Sequence, residues 1–267
     1  MTDANAAANQ EIALSGALMF YNKPEPLNRQ EHAKLGLKRE GVVPFRFVSQ
    51  THVLPLLLPE FQQATLSYPI VFMGEPRRPA AVLGIQAGEN LFVSSETGFE
   101  PDAYVPYYVR RYPFALANDQ DKKTAVVIID RDAEVISDQP DLPFFENGEP
   151  TQLVKDMIEF CEGFEQARLT TEMFCNLLEE LDLFEIRYTD YQPRNPDGSA
   201  GAPQRVAEYF AVSEEKLNAL SVDKLKELRD NGALRQIYAH LISLAGWEKL
   251  MSVAINRAGV KAAANNA

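Results

Sequence analysis

Two prolines bracket the segment that most constrains this chain. Pro106 and Pro113 stand in the run from Tyr104 to Phe114 (YVPYYVRRYPF), which also holds four tyrosines and two arginines. Pro106 suits the first turn of a helix, where its missing N–H costs little. Pro113 stops that helix and drives Tyr112 toward an extended conformation. The spacing predicts a helix of about two turns. Arg110 and Arg111 fall in its last turn, where the macrodipole favours cations. Tyr104, Tyr107, Tyr108 and Arg111 recur at helical spacing and share one face. Val105, Val109 and Tyr112 share another, and Arg110 points about 100° away from Arg111.

Two readings of this segment are open. In one, the valines dock on a sheet, the tyrosines pack with their hydroxyls outward, and the arginines pair with nearby acids. In the other, Tyr104, Tyr107, Tyr108, Arg110 and Arg111, with His32 from the N-terminal part, form a site for a peptide or an anionic ligand. Tyrosine and arginine are the usual anchors of binding surfaces, and guanidinium grips carboxylate in a bidentate manner. On the helical register Arg111 is then the exposed anion anchor and Arg110 an internal ion-pair partner.

The 267 residues are enough for a sizeable core, and the net charge of −12 argues against nucleic acid and against an anionic membrane surface. No stretch reaches the ~18 apolar residues of a membrane span. Residues 1–15 read as a polar, mobile tail without a basic n-region, so no signal peptide is expected and a cytoplasmic protein is. The two cysteines, Cys161 and Cys175, lie in helix-like sequence and are expected as buried thiols rather than as a disulfide.

Along the chain, strands are expected at Leu18 to Tyr21, Val42 to Ser49, Tyr68 to Gly74, Ala80 to Gln86, Leu91 to Ser95, Phe114 to Ala117 and Thr124 to Asp130. Ala87 to Asn90 reads as a hairpin turn between two of them. Pro55 to Ser67 reads as a helix. From Thr151 one helix runs to about Arg168, and Thr170 or Thr171 caps a second ending near Leu181. Between Thr151 and Glu185 nine acids face Lys155 and Arg168, a net −7. Strands follow at Ile186 to Tyr191 and Arg205 to Val212, joined by a Pro/Gly-rich loop with its turn at Asn195 to Gly198. Ser213 and Ser221 cap short helices. Gly232 ends the second with positive φ, so Gly232→Ala should cost about 1 kcal/mol in a denaturation experiment, more than a change at Gly198. Residues 257–267 are Ala/Asn-rich and expected to fray.

Catalytic signatures are sparse. His32, His52 and His240 are far apart, and none belongs to a metal-ligand spacing. No phosphate loop, dinucleotide fingerprint or nucleophile elbow occurs. No metal and no cofactor is therefore expected. Asp130 and Asp132 form a D-x-D after a strong strand, a pattern that holds a divalent cation in some enzymes and an ordinary turn in most proteins. If the chain is an enzyme, its ligands converge only in the fold, with His32 and Asp130 or Asp132 as first suspects.

Several spaced blocks resemble one family. They are Tyr68 to Phe72 (YPIVF), Gly88 to Phe92 (GENLF), Tyr104 to Tyr107 (YVPY), Arg110 to Phe114 (RRYPF), and Phe145 with Gly148 ahead of Pro150 and Thr151. Asn28 with His32, Glu215 to Leu220 (EKLNAL) and Gly232 to Leu234 (GAL) complete the set. Together they are similar to the SapC family over roughly residues 18–256. The resemblance implies a bacterial protein and assigns no catalytic residue. The family name has been tied to surface-layer proteins and to a peptide-transport permease; without a membrane span the permease meaning does not fit. Members are similar to proteins encoded beside outer-membrane receptors and flavin-dependent halogenase-like or dioxygenase-like enzymes, which implies nutrient uptake or peptide modification.

The expected fold is α+β. An antiparallel or mixed sheet from residues 16–149 packs with helices from 150–256, and the 186–212 hairpin extends or caps the sheet, in one domain spanning 16–256. The expected function is that of a non-catalytic binding or accessory protein for a peptide, a small acidic ligand or a partner protein. A metal- or oxygen-dependent enzyme and a surface-layer protein are the alternatives. The oligomeric state is not legible.

Overall fold

The computed structural model describes residues 18–94, 96–119, 124–191, 199 and 201–265, with side chains to Arg257 except those of Asn118, Asp119 and Thr124. The expectations for residues 1–15 and for Gly198 lie outside the described residues. The fold is α+β, and every strand pairing is antiparallel. The chain divides into two compact units, one of residues 1–47 and 109–166, the other of 48–108 and 167–267.

The first unit is built on the hairpin of Phe114–Asp119 and Thr124–Asp130, with Pro24–Pro26 added along its outer edge. The β-branched run Val126 to Ile129 explains why this is the most regular ladder of the unit. Phe114 and Ile129 lie opposite each other and pack with Leu35, Phe144, Val154 and Cys161. Leu153, Met157 and Ile158 lie against the same cluster, so the start of helix Gln152–Glu180 covers this core with its helical-period apolar stripe.

The second unit holds a five-stranded sheet in the order Phe184–Tyr191, Gln204–Val212, Ile70–Met73, Arg78–Val82, Val53–Pro55. The two-residue periodicity of a strand sends alternate side chains to opposite faces. On one face Phe72 meets Phe61, Phe184 and His240 edge-on, under helices Phe61–Ala64 and Ala233–Ser243. On the other face Val71, Ala80, Val82, Tyr209 and Ala211 pack with Trp247 and Leu250 of helix Gly246–Asn265. The unit thus has three layers, with the 184–212 hairpin extending the sheet at one edge.

Several local expectations are corrected. Leu18 to Tyr21 is a turn, and the first strand is Pro24–Pro26. Val42 to Ser49 is a set of turns with one 3-10 turn at Arg46–Val48, because Pro44 offers no N–H to a ladder and Phe45 has φ 60°. Helix is confined to Phe61–Ala64 within the Pro55 to Ser67 stretch, where the proline-containing 3-10 turn Leu58–Glu60 precedes it and Val53–Pro55 is an edge strand. The strand expected over Ala80 to Gln86 ends at Val82, and Val93–Ser94 pairs with Gly98–Phe99 instead of with it.

The two helices expected between Thr151 and Leu181 are one helix of 29 residues, Gln152–Glu180. Thr171 does not cap: its hydroxyl donates to the Ala167 carbonyl one turn back, at 2.7 Å. A threonine can satisfy itself this way inside a helix, and neither glycine nor proline interrupts the pattern there. Ser221 caps its helix by accepting from Lys224 N–H, whereas Ser213 occupies the cap position without that bond. Gly232 has φ 81° at the junction of two helices, as expected. Helix Gly246–Asn265 continues through the Ala-rich residues expected to fray, in keeping with alanine's helix propensity.

Candidate functional site

The tyrosine–arginine segment forms one helical turn, Tyr107–Arg110, rather than two. In the second unit its tyrosines converge on Glu60, which is 1% exposed. The Glu60 carboxylate accepts from the Tyr104 hydroxyl at 3.1 Å, from Tyr107 N–H at 2.6 Å and from Leu57 N–H at 2.8 Å. The Tyr68 hydroxyl donates to the Tyr104 carbonyl, and burial pushes that phenol's pKa upward. Tyr108 is buried. Three donors on one buried carboxylate make this cluster a strut that ties the loop before the turn to the 3-10 turn at Leu58–Glu60.

In the first unit the arginines have the reverse of the exposures that the helical register assigned. Arg111 is buried with its guanidinium 4.1 Å over the Phe164 ring, and Arg110 is exposed, 5.3 Å from the Phe160 ring centre. A turn this short carries no continuing register, so chain direction after Val109 decides where each side chain goes.

His32 is also buried, and its partner is Glu25 rather than Asp130 or Asp132. Its Nδ1 accepts from Asn28 N–H at 2.9 Å, which leaves the proton on Nε2 to be donated to Glu25 Oε1, also at 2.9 Å. Asp130 is fully buried and accepts from Lys23 N–H at 2.8 Å and from the Tyr112 hydroxyl at 2.7 Å. Burial first, and then that bond to Asp130, push the Tyr112 phenol upward. Both thiols are raised to about 11 by burial, which outweighs Arg111 near Cys161 and Arg78 near Cys175. At neutral pH they are thiols and poor nucleophiles. Among the described residues no group of three or more His, Cys, Asp or Glu side chains is placed to hold a metal ion.

A concave site that the sequence did not announce lies on the sheet of the second unit. A cavity of about 250 Å³ opens on the face carrying helix Gly246–Asn265. Its walls include Val71, Met73 and Val82 from the central strands, Ala207 and Tyr209 from the long strand, and Trp247. Tyr209 and Trp247 stack with ring centres 5.5 Å apart and planes 26° apart. Besides Tyr209, His52 and Glu208 are the titratable side chains of the lining. The cavity follows from strand lengths. Ile70–Met73 has four residues and Gln204–Val212 has nine, and the two pair only at Phe210 and Phe72. Residues Val206 to Glu208 therefore run past the end of their neighbour and leave sheet surface uncovered. Gly84 completes the wall, since a Cβ there would lie 1.9 Å from the Glu89 carbonyl oxygen. The traces of this site in the sequence are Trp247, the chain's one tryptophan, and Tyr209 amid the alternating residues of a strand.

No helix among the described residues is long and apolar enough to cross a membrane. No curated protein and no solved structure matches the chain. The SapC family model matches residues 27–250. That span takes in the Glu60 strut, the walls of the cavity and every described strand except Pro24–Pro26, so the chain belongs to the SapC family.

Proposed function

We propose that this SapC-family chain is a non-catalytic binding or accessory protein whose ligand seats a flat, largely apolar group in the cavity beside Tyr209 and Trp247. The group that best suits it is an aromatic side chain of a peptide or of a partner protein's peptide segment. The observation that carries this reading is the stacked Tyr209–Trp247 pair forming one wall of an otherwise largely aliphatic cavity. Concave, mostly apolar sites with a few polar groups are where small groups bind, and aromatic walls favour flat ones. The groups that chemistry would use point the same way. Both nitrogens of His32 and of His240 are engaged, and Asp130 is held by Lys23 and Tyr112. The reading includes a cytoplasmic location.

Trp247 makes the test direct, because all indole fluorescence comes from the proposed wall. Titration with N-acetyltyrosinamide and short aromatic peptides should give a saturable change in emission. Ala207→Leu, which fills the cavity from the long strand, should abolish the change and leave the melting temperature near that of the parent. Unaltered emission at millimolar peptide, or an unaltered response in Ala207→Leu, would refute the reading.

A further inference from the structure

We propose that the free edge of strand Phe184–Tyr191 pairs with the same strand of a second copy, in antiparallel register about a two-fold axis through Ile186. This strand is the outermost of the five-stranded sheet and pairs on one side only, with Gln204–Val212. The parity of its backbone groups follows from two bonds. Ser213 N–H donates to the Leu183 carbonyl at 2.8 Å, which makes Phe184 and Val212 a non-hydrogen-bonded pair and Glu185 and Ala211 a hydrogen-bonded one. Lys216 Nζ reaches the Phe184 carbonyl at 3.0 Å from outside the ladder. The peptide groups of Phe184, Ile186 and Tyr188 therefore point away from the sheet. Among the described residues, those of Ile186 and Tyr188 make no backbone hydrogen bond to another segment. The same two residues are 49% and 48% exposed.

Parity and charge select the partner. A two-fold axis perpendicular to the sheet pairs residues of equal parity, so outward peptide groups meet whether it passes through Glu185, Ile186, Arg187 or Tyr188, but at Glu185 or Arg187 that residue would oppose its own like charge at the closest position. Centred on Ile186, the register sets Glu185 opposite Arg187 of the second copy, and Arg187 opposite its Glu185. It also sets Phe184 opposite Tyr188. The Glu185–Arg187 pairs fall at non-hydrogen-bonded positions, where opposed side chains are closest. Within one chain Arg187 Nε already lies 2.6 Å from Glu185 Oε1, so pairing would join two such couples into a ring of four alternating charges. Centred on Tyr188, the register would set Glu185 against Tyr191 and Arg187 against Thr189, with no charge matched. The Lys216 contact is compatible, since a carbonyl has two lone pairs.

An eight-residue edge makes a small, reversible interface. Sedimentation velocity of the full chain should therefore show self-association between about 10 µM and 1 mM. Ile186→Pro removes an N–H that the monomer does not use and should remain monomeric throughout. Glu185→Arg and Arg187→Glu should each weaken association about tenfold or more, by opposing like charges twice per interface. The double exchange E185R/R187E should restore it. If Ile186→Pro does not fold, the charge series alone decides. Concentration-independent sedimentation of the parent chain would overturn the proposal, as would association untouched by the single reversals or not recovered in the double exchange.

Discussion

Replacing His240 by alanine is expected to lower stability by about 3–5 kcal/mol. The imidazole replaces a rung of the sheet. After the single bridge between Phe210 and Phe72, the next pair in that register is Val212 with Ile70, and the ladder does not close there. His240 fills the gap. Val212 N–H donates to its Nε2 at 3.0 Å, and its Nδ1–H donates to the Ile70 carbonyl at 2.9 Å. The ring is fully buried. Alanine would strand a backbone donor and an acceptor in the core beside Phe72, in addition to leaving a cavity.

The same geometry sets a pH dependence. Burial, the larger cause, with Arg187 adding to it, pushes the pKa of His240 down to about 4 from 6.5, against the opposing bond to Ile70. A second proton on Nε2 would confront the Val212 N–H. Between these two values the unfolded chain binds a proton that the folded chain refuses, so stability falls as pH drops from 6.5 toward 4. The expected loss is about 2 kcal/mol by pH 5 and about 3 kcal/mol at pH 4 and below. Urea denaturation at pH 7.5, 6.0 and 5.0 measures it, in a window above the ordinary carboxylate range. His240→Ala should flatten the slope between pH 6.5 and 5. An equal slope in the variant would mean that another group titrates.

Gly36→Ala is the second large effect, expected at about 3 kcal/mol. Gly36 lies in the short strand Gly36–Leu37, between Ile136–Ser137 and Leu142–Pro143. A Cβ there would sit 2.2 Å from the Leu142 carbonyl oxygen and 2.6 Å from Pro143 Cα. Both are backbone atoms, so the strand itself must shift. The shift would carry Phe144, whose N–H donates to Leu35, away from Phe114 in the first core. Gly163→Ala is the matched control. It lies inside helix Gln152–Glu180 with nothing within 4 Å of the added methyl, and it should stabilise by about 0.5–1 kcal/mol. Two variants with the same urea midpoint would show that the close approach at Gly36 is wrong.

The tyrosine segment shows how far residue type and spacing carry. Its aromatic and cationic composition suits a binding surface or a scaffold equally well. What separates the two is the location of Glu60, 44 residues before Tyr104 in the chain. Local spacing holds no information about a partner at that separation. Exposure follows the same rule. Arg110 and Arg111 are adjacent and chemically identical, and one is exposed while the other is buried.

By itself, the sequence determined what depends on neighbours within about one turn or along one strand. The apolar periods predicted the α+β class, the Thr124–Asp130 strand, the hairpin strands before Tyr191 and after Gln204, and the helical stripe from Leu153 to Phe164. Left-handed geometry called for glycine at 232, and the family blocks pointed to SapC over most of the chain. The tertiary structure alone decided features that depend on distant segments meeting. Thr171 sits inside a helix because it bonds Ala167 and accepts from Leu58 N–H, 113 residues away. The Tyr209–Trp247 cavity exists because two strands of unequal length pair at one position. His240 works as a rung because its ring meets Ile70 and Val212 together, and only folding brings those two backbone groups within reach of one side chain.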